Sequence, residues 1–166
     1  MRRSVIALAF AFALGSATAS EKTDVLLTVQ HWVAAANKGD MKGFVALCEE
    51  QSTIFDDFPP YEWHGVGACA NWWRDNESLG KTEGITDASV VLGKPLQVYI
   101  TGEHAYVVTR DEFVFKAKGK PMKQKGSIHT IILHKSNLGW RITGESWAAT
   151  SLAAPGTAGA PAPSTQ

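Results

Sequence analysis

SVVLGKPLQVYI (89–100), HAYVVTRDEFVFK (104–116), KQKGSIHTIILHK (123–135) and WRITGESWAA (140–149) are four stretches in which the apolar period is two. Side chains on a β-strand alternate between faces, so this period reads as strand. Lys118-Gly119-Lys120-Pro121 and Ser136-Asn137-Leu138-Gly139 read as the turns between them. The first strand is expected to bend at Gly93-Lys94-Pro95, where glycine and proline weaken a ladder.

Before residue 85 the period is 3.6. Val25, Val29, Trp32, Val33 and Ala36 mark an amphipathic helix over Thr23 to Lys38. Gly39 ends it, and Asp40 caps a second, short helix reaching to about Glu49. Ser52 to Phe58 reads as a short strand stopped by Pro59-Pro60, and Gly65 opens a third helix through Cys69, Trp72 and Trp73. The expected fold is therefore α+β: a curved antiparallel sheet, cone-shaped, packed on three N-terminal helices. Such a cone has one open end, and the cavity inside it is a natural ligand site.

The two ends of the chain read differently. Met1-Arg2-Arg3, the apolar run Val5 to Leu14 and Ala17-Thr18-Ala19 have the order of a secretory signal, so residues 1–19 are expected to be removed at Ala19-Ser20. The run is shorter than the roughly 20 apolar residues a bilayer span needs. A periplasmic or secreted product with no membrane attachment after cleavage is the expectation. Residues 151–166 read as a disordered Ala/Pro-rich tail, because they offer too little apolar surface to offset the entropy of ordering. Residues 22–150 form one domain. Without Arg2 and Arg3 the chain has 14 basic against 16 acidic residues and no basic stripe, which argues against nucleic acid. The domain holds all six Trp.

Cys48 and Cys69 form a disulfide candidate in an oxidising compartment, with two buried thiols on predicted helices as the alternative. The His and Cys spacings match no metal site, and neither a Gly-rich phosphate loop nor a nucleophile elbow is present, so no cofactor is expected.

Three stretches carry a family resemblance: Val29 to Asp40 with its Asn37-Lys38-Gly39-Asp40 corner, Thr53 to Pro60 running on to Gly65, and Gly139-Trp140-Arg141-Ile142. In this order they resemble the nuclear-transport-factor-2-like superfamily, which includes ketosteroid isomerases and SnoaL-like domains. The resemblance covers nearly the whole domain. It implies that Asp56 stands at the isomerase base, that Trp32 replaces the Tyr of the first helix, and that His129 stands near the second oxyanion donor. The base position is thus kept while both donors differ. The resemblance also implies pairing of two copies through the outer sheet face.

Each of these residues has a second reading. Asp56 is a general base, or it caps the Pro-Pro loop. Asp57, by alternation, points to the other face. His129 lines the pocket as acid or donor, or is a satisfied core His. Trp32 is an oxyanion donor or plain core. Tyr61 and Trp63 stand beside the pocket for a flat apolar ligand, or only pack their loop. Asp111 faces the cavity, or joins an exposed ion pair with its neighbours. Trp147 closes the cavity. The catalytic candidates are therefore Asp56 and His129, and the binding candidates Trp32, Tyr61, Trp63, Asp111 and Trp147. Three functions follow: binding of a small apolar molecule, proton transfer next to a carbonyl, and a homodimeric interaction module.

Overall fold

The structure is a computed structural model that describes residues 13–150 and 152–153. Its elements run α1 (Ala13–Asn37), α2 (Met41–Ala46), β1 (Cys48–Phe55), β2 (Glu62–Val66), α3 (Ala68–Glu83), β3 (Ile85–Val91), β4 (Pro95–Thr101), β5 (His104–Ala117), β6 (Lys120–Ser136), β7 (Gly139–Ala148) and β8 (Leu152–Ala153). The curved, unclosed sheet has the order β2-β1-β7-β6-β5-β3, with β4 also on β5 and β8 on β6. The α+β fold of three helices against a bent sheet is as expected. One pairing departs from the antiparallel rule: β1 runs parallel to β7, with Ile54 opposite Glu145 and Phe55 opposite Ser146. β1 enters the sheet from the helical half of the chain, and a long connection frees it to take either direction.

The helical corner forms as the sequence dictates. Gly39 takes φ 70°, a left-handed turn that glycine makes at no steric cost. The Asp40 carboxylate then accepts from Gly43 N–H at 2.9 Å and caps α2. Asn37 ties the end of α1 to the sheet twice: its Nδ2 donates to Val90 O and its Oδ1 accepts from Val90 N–H, both at 2.8 Å. Trp32 of α1 stacks on Phe44 of α2, with ring centres 4.7 Å apart, and Phe44 in turn contacts Trp72 and Trp73 of α3. These rings join the helices to the core beneath, which includes Ile54, Val107, Ile131, Leu133 and Ile142.

Several expectations are corrected. The predicted single strand 89–100 is two, β3 and β4, which pair with the two halves of β5. The break comes at Gly93, where an added Cβ would run into the Arg110 carbonyl oxygen. Gly93 N–H instead donates to Asp111 Oδ1 at 2.9 Å. A strand, β2, precedes α3 where a helix was expected from Gly65; it pairs with β1 from Phe55↔Glu62 to Gln51↔Val66. The helix expected from Thr23 begins at Ala13, so Ala19-Ser20 lies within it. Residues 1–12 of the expected signal lie outside the described residues, as do 151 and 154–166 of the expected tail. Leu152 and Ala153 pair with Gln124 and Lys123.

Cys48 opens β1 rather than ending a helix, and it is bonded to Cys69 of α3 (S–S 2.10 Å, Cα–Cα 6.6 Å). The disulfide alternative is the one the structure takes. It closes a loop with a sequence separation of 21, which in a chain-entropy account is worth about 3 kcal/mol. The double variant Cys48→Ser with Cys69→Ser should lose about that much unfolding free energy in urea. Reductant should lower the wild type toward the variant and leave the variant unchanged. Equal stability of the two oxidised proteins would contradict this role.

Candidate functional site

A cavity of about 520 Å3 lies between the helices and the inner face of the sheet. That is the size of a small organic ligand site. Trp32, Val33 and Ala36 of α1, Phe44 of α2 and Trp72 and Leu79 of α3 line it from the helical side. Val90, Phe113, Phe115, His129, Glu145 and Trp147 line it from the sheet. Asp56, Asp57 and Phe58, beyond the end of β1, complete it.

Cross-strand register sets the polar floor. His129 on β6 is opposite Thr109 on β5 and Trp147 on β7, and Glu145 is opposite Ile131. Alternation therefore puts Thr109, Asp111, His129, Glu145 and Trp147 on one face. The His129 Nδ1 bonds Asp111 Oδ2 at 2.8 Å, and Nε2 faces Glu145 Oε1 at 3.4 Å, an ionic contact longer than a good hydrogen bond. His129 is 3 % exposed, Asp111 0 % and Glu145 6 %. Burial pushes the imidazole pKa down, but the Asp111 hydrogen bond and the Glu145 carboxylate outweigh it and raise it to about 9. At neutral pH this is an imidazolium between two carboxylates, a group carrying one net negative charge.

Asp56 answers to this floor. Its carboxylate accepts from Trp72 Nε1–H at 2.8 Å and from Asp57 N–H at 2.7 Å. Burial, then repulsion from Glu145, raises its pKa to about 7, although the Trp72 and Asp57 hydrogen bonds pull the other way. The result is a carboxyl that titrates near neutrality inside a largely apolar cavity. Asp57 also lines the cavity, against the expectation from alternation: β1 ends at Phe55, so the period of two no longer applies. Gln124 bridges Asp57 to Trp147, donating to Asp57 Oδ2 and accepting from Trp147 Nε1–H, both at 3.0 Å.

Among the described residues, Trp32 Nε1, His129 Nε2 and Glu145 Oε2 are buried without a hydrogen-bond partner, and all three residues line the cavity. Buried polar groups are rarely left so; His129 Nε2 has the Glu145 contact at 3.4 Å, which leaves Trp32 Nε1 and Glu145 Oε2 as the candidate ligand contacts.

The structure brings together five sequence candidates: Asp56, His129, Trp32, Asp111 and Trp147. The role of two is revised. His129 offers no free donor for an oxyanion, since its two nitrogens face carboxylates. Asp111 does not line the cavity but lies against His129 on the side of Gly93. Neither is it part of an exposed ion pair. Tyr61 and Trp63 do not line the cavity. Tyr61 is 58 % exposed at φ 73°, and Trp63 is buried against Phe58, its Nε1–H donating to Asp75 at 2.7 Å. Glu145 was missed. The signal that could have found it is its spacing of two from Trp147, which puts both on one strand face.

Both pKa shifts mean that the folded protein binds protons more tightly than the unfolded chain, so stability falls as pH rises. The Asp56 share is complete below its ordinary 3.8 and lost as pH rises through about 7. The His129 share is complete below 6.5 and lost through about 9, and amounts to roughly 3 kcal/mol. Urea unfolding should show free energy declining from pH 5 to 9, with Asp56→Asn flattening the part below pH 7 only. A level or rising curve would contradict the two assignments.

A family model described as SnoaL-like domain matches residues 25–146. An NTF2-like protein with a cystatin-like fold from Novosphingobium aromaticivorans superposes with a TM-score of 0.68 at 16 % identity, covering 88 % of this chain and 90 % of that one. An NTF2-like superfamily protein from Salmonella enterica serovar Typhimurium gives 0.66 at 16 % identity, over 85 % and 99 %. A ketosteroid isomerase-like protein from Erwinia carotovora atroseptica gives 0.60 at 17 %, over 79 % and 97 %. At these identities the likeness is one of fold. No curated protein sequence is significantly similar to the chain. The family model covers most of the chain, the helix order and bent sheet agree with the fold of the NTF2-like structures, and the protein belongs to the SnoaL-like domain family.

Proposed function

We propose that this is an exported SnoaL-like domain that holds a small, largely apolar molecule in the cone cavity. The observation that carries the reading is an aromatic-lined cavity of about 520 Å3 whose buried Trp32 Nε1 and Glu145 Oε2 lack hydrogen-bond partners among the described residues. Export rests on the order of charged, apolar and small residues over 1–19. Assembly as a homodimer is supported by the outer sheet face, where exposed Tyr99, Tyr106 and Ile132 stand in register across β4, β5 and β6. Such an apolar row is suited to burial against a second copy. Native mass spectrometry of protein taken from its own source reads all three: a chain starting at Ser20, two copies, and a retained small molecule. A chain with intact residues 1–19, a monomer at high concentration, or a ligand-free cavity would each remove the corresponding part.

A second reading, proton transfer on the bound molecule, is favoured by one observation: Asp56 titrates near 7, where a general acid or base works best at neutral pH. The altered donors make a steroid isomerase a poor model for it. Against a carbonyl compound turned over by the wild type, Asp56→Asn should lower kcat by about 100-fold or more, and the wild-type rate should rise with pH through about 7. A rate unchanged in the variant would exclude Asp56 as the base.

A further inference from the structure

The charges inside the cavity do not cancel. Asp111 offsets the His129 imidazolium, which leaves Glu145 over, with Oε2 buried and unpartnered among the described residues. A buried carboxylate oxygen without a donor has lost its hydration and gained no hydrogen bond in return. Asp56 adds a second carboxyl, close enough to Glu145 for the Glu145 charge to resist its ionisation. Exposed Asp57 and Glu77 add negative charge on the solvent side, against Lys81 alone of the described lining residues outside the His129 group. An anionic ligand would meet repulsion from four carboxyl groups.

The walls point the same way. Trp32, Phe44, Phe58, Trp72 and Trp147 all line the space that these carboxyls share. Aromatic rings attract cations through the negative charge of their faces, and the effect is largest where water is excluded. Apolar walls alone would suit any greasy molecule. Apolar walls around an uncompensated buried carboxylate suit a molecule with a positive end.

We propose that the ligand class of this cavity is a small organic amine in its ammonium form, with its positive end against Glu145 and Asp56 and its apolar body among the tryptophan and phenylalanine rings. This rests on the reading that the cavity holds a small molecule, and it narrows what that molecule is. The ammonium would donate to Glu145 Oε2 and neutralise the surplus charge. It would also favour ionised Asp56, so amine binding strengthens as pH rises through about 7. The groups that face Asp56 in this titration are Glu145 of β7, the neighbouring Asp57 and the Trp72 N–H of α3, with the His129 imidazolium of β6 beyond Glu145.

Three probes of one size and three charges test it: 2-phenylethylamine, 2-phenylethanol and phenylacetate, titrated into the full protein at pH 8 and read by tryptophan fluorescence. The amine is expected to bind about ten-fold tighter than the alcohol, a factor that corresponds to about 1.4 kcal/mol, and phenylacetate weakest of the three. Glu145→Gln should lower amine affinity about ten-fold and leave the alcohol within two-fold. If Glu145→Gln does not fold, Asp56→Asn carries the same comparison. Alcohol binding equal to or tighter than amine would overturn the amine class while leaving the cavity as a ligand site. Absence of binding by all three would overturn both readings.

Discussion

The imidazolium of His129, held between Asp111 and Glu145, is the interaction on which the inner half of the molecule depends. Three adjacent strands contribute one member each, so the group forms only when β5, β6 and β7 take the observed register. Removing one partner of such a buried set costs about 3–5 kcal/mol, because the others are left charged and unpaired. Asp111 reaches further still. Its second oxygen holds Gly93 N–H, at the point where the chain passes from β3 to β4. The same carboxylate thus orients the histidine and fixes the break that lets two short strands share β5.

From this floor the properties of the cavity follow in sequence. Burial first, and then the neighbouring Glu145 carboxylate, push Asp56 toward neutral pH. Asp56 nevertheless has two donors of its own, Trp72 and the Asp57 backbone, which fix its orientation. The aromatic residues of all three helices meet around Phe44 and extend to the cavity wall, so core packing and ligand surface are made by the same rings. Asn37, bonded twice to Val90, locks the helical layer over the sheet at the end of α1. Helices, sheet and cavity are in this way one construction, with the charged group at its base.

Much of this was legible beforehand, and the misses have physical causes. The meander was readable because alternating apolar residues leave a period of two that survives in the sequence. The corner at Gly39 and Asp40 was readable because left-handed turns and helix caps each demand particular residues. β2 was not, since Glu62 to Val66 is short and mostly exposed, and its pairing with β1 is settled by the returning loop. The parallel β1–β7 contact joins residues about ninety apart and has no local signature. Within the site, Asp56 and His129 were found by resemblance and Asp111 by alternation. Glu145 was not, because its meaning comes from its cross-strand neighbour. Tyr61 and Trp63 were misplaced because the loop after Pro60 turns back into β2, which buries Trp63 against Phe58 instead of the cavity.

The protonation of His129 is the most direct measure of this account. Nitrogen chemical shifts of its imidazole ring, followed by NMR from pH 6 to 10, should report both nitrogens protonated at pH 7.5 and a titration near pH 9. A single-proton ring at pH 7.5, or a midpoint at or below 6.5, would contradict the buried carboxylate–imidazolium–carboxylate group from which the rest is derived.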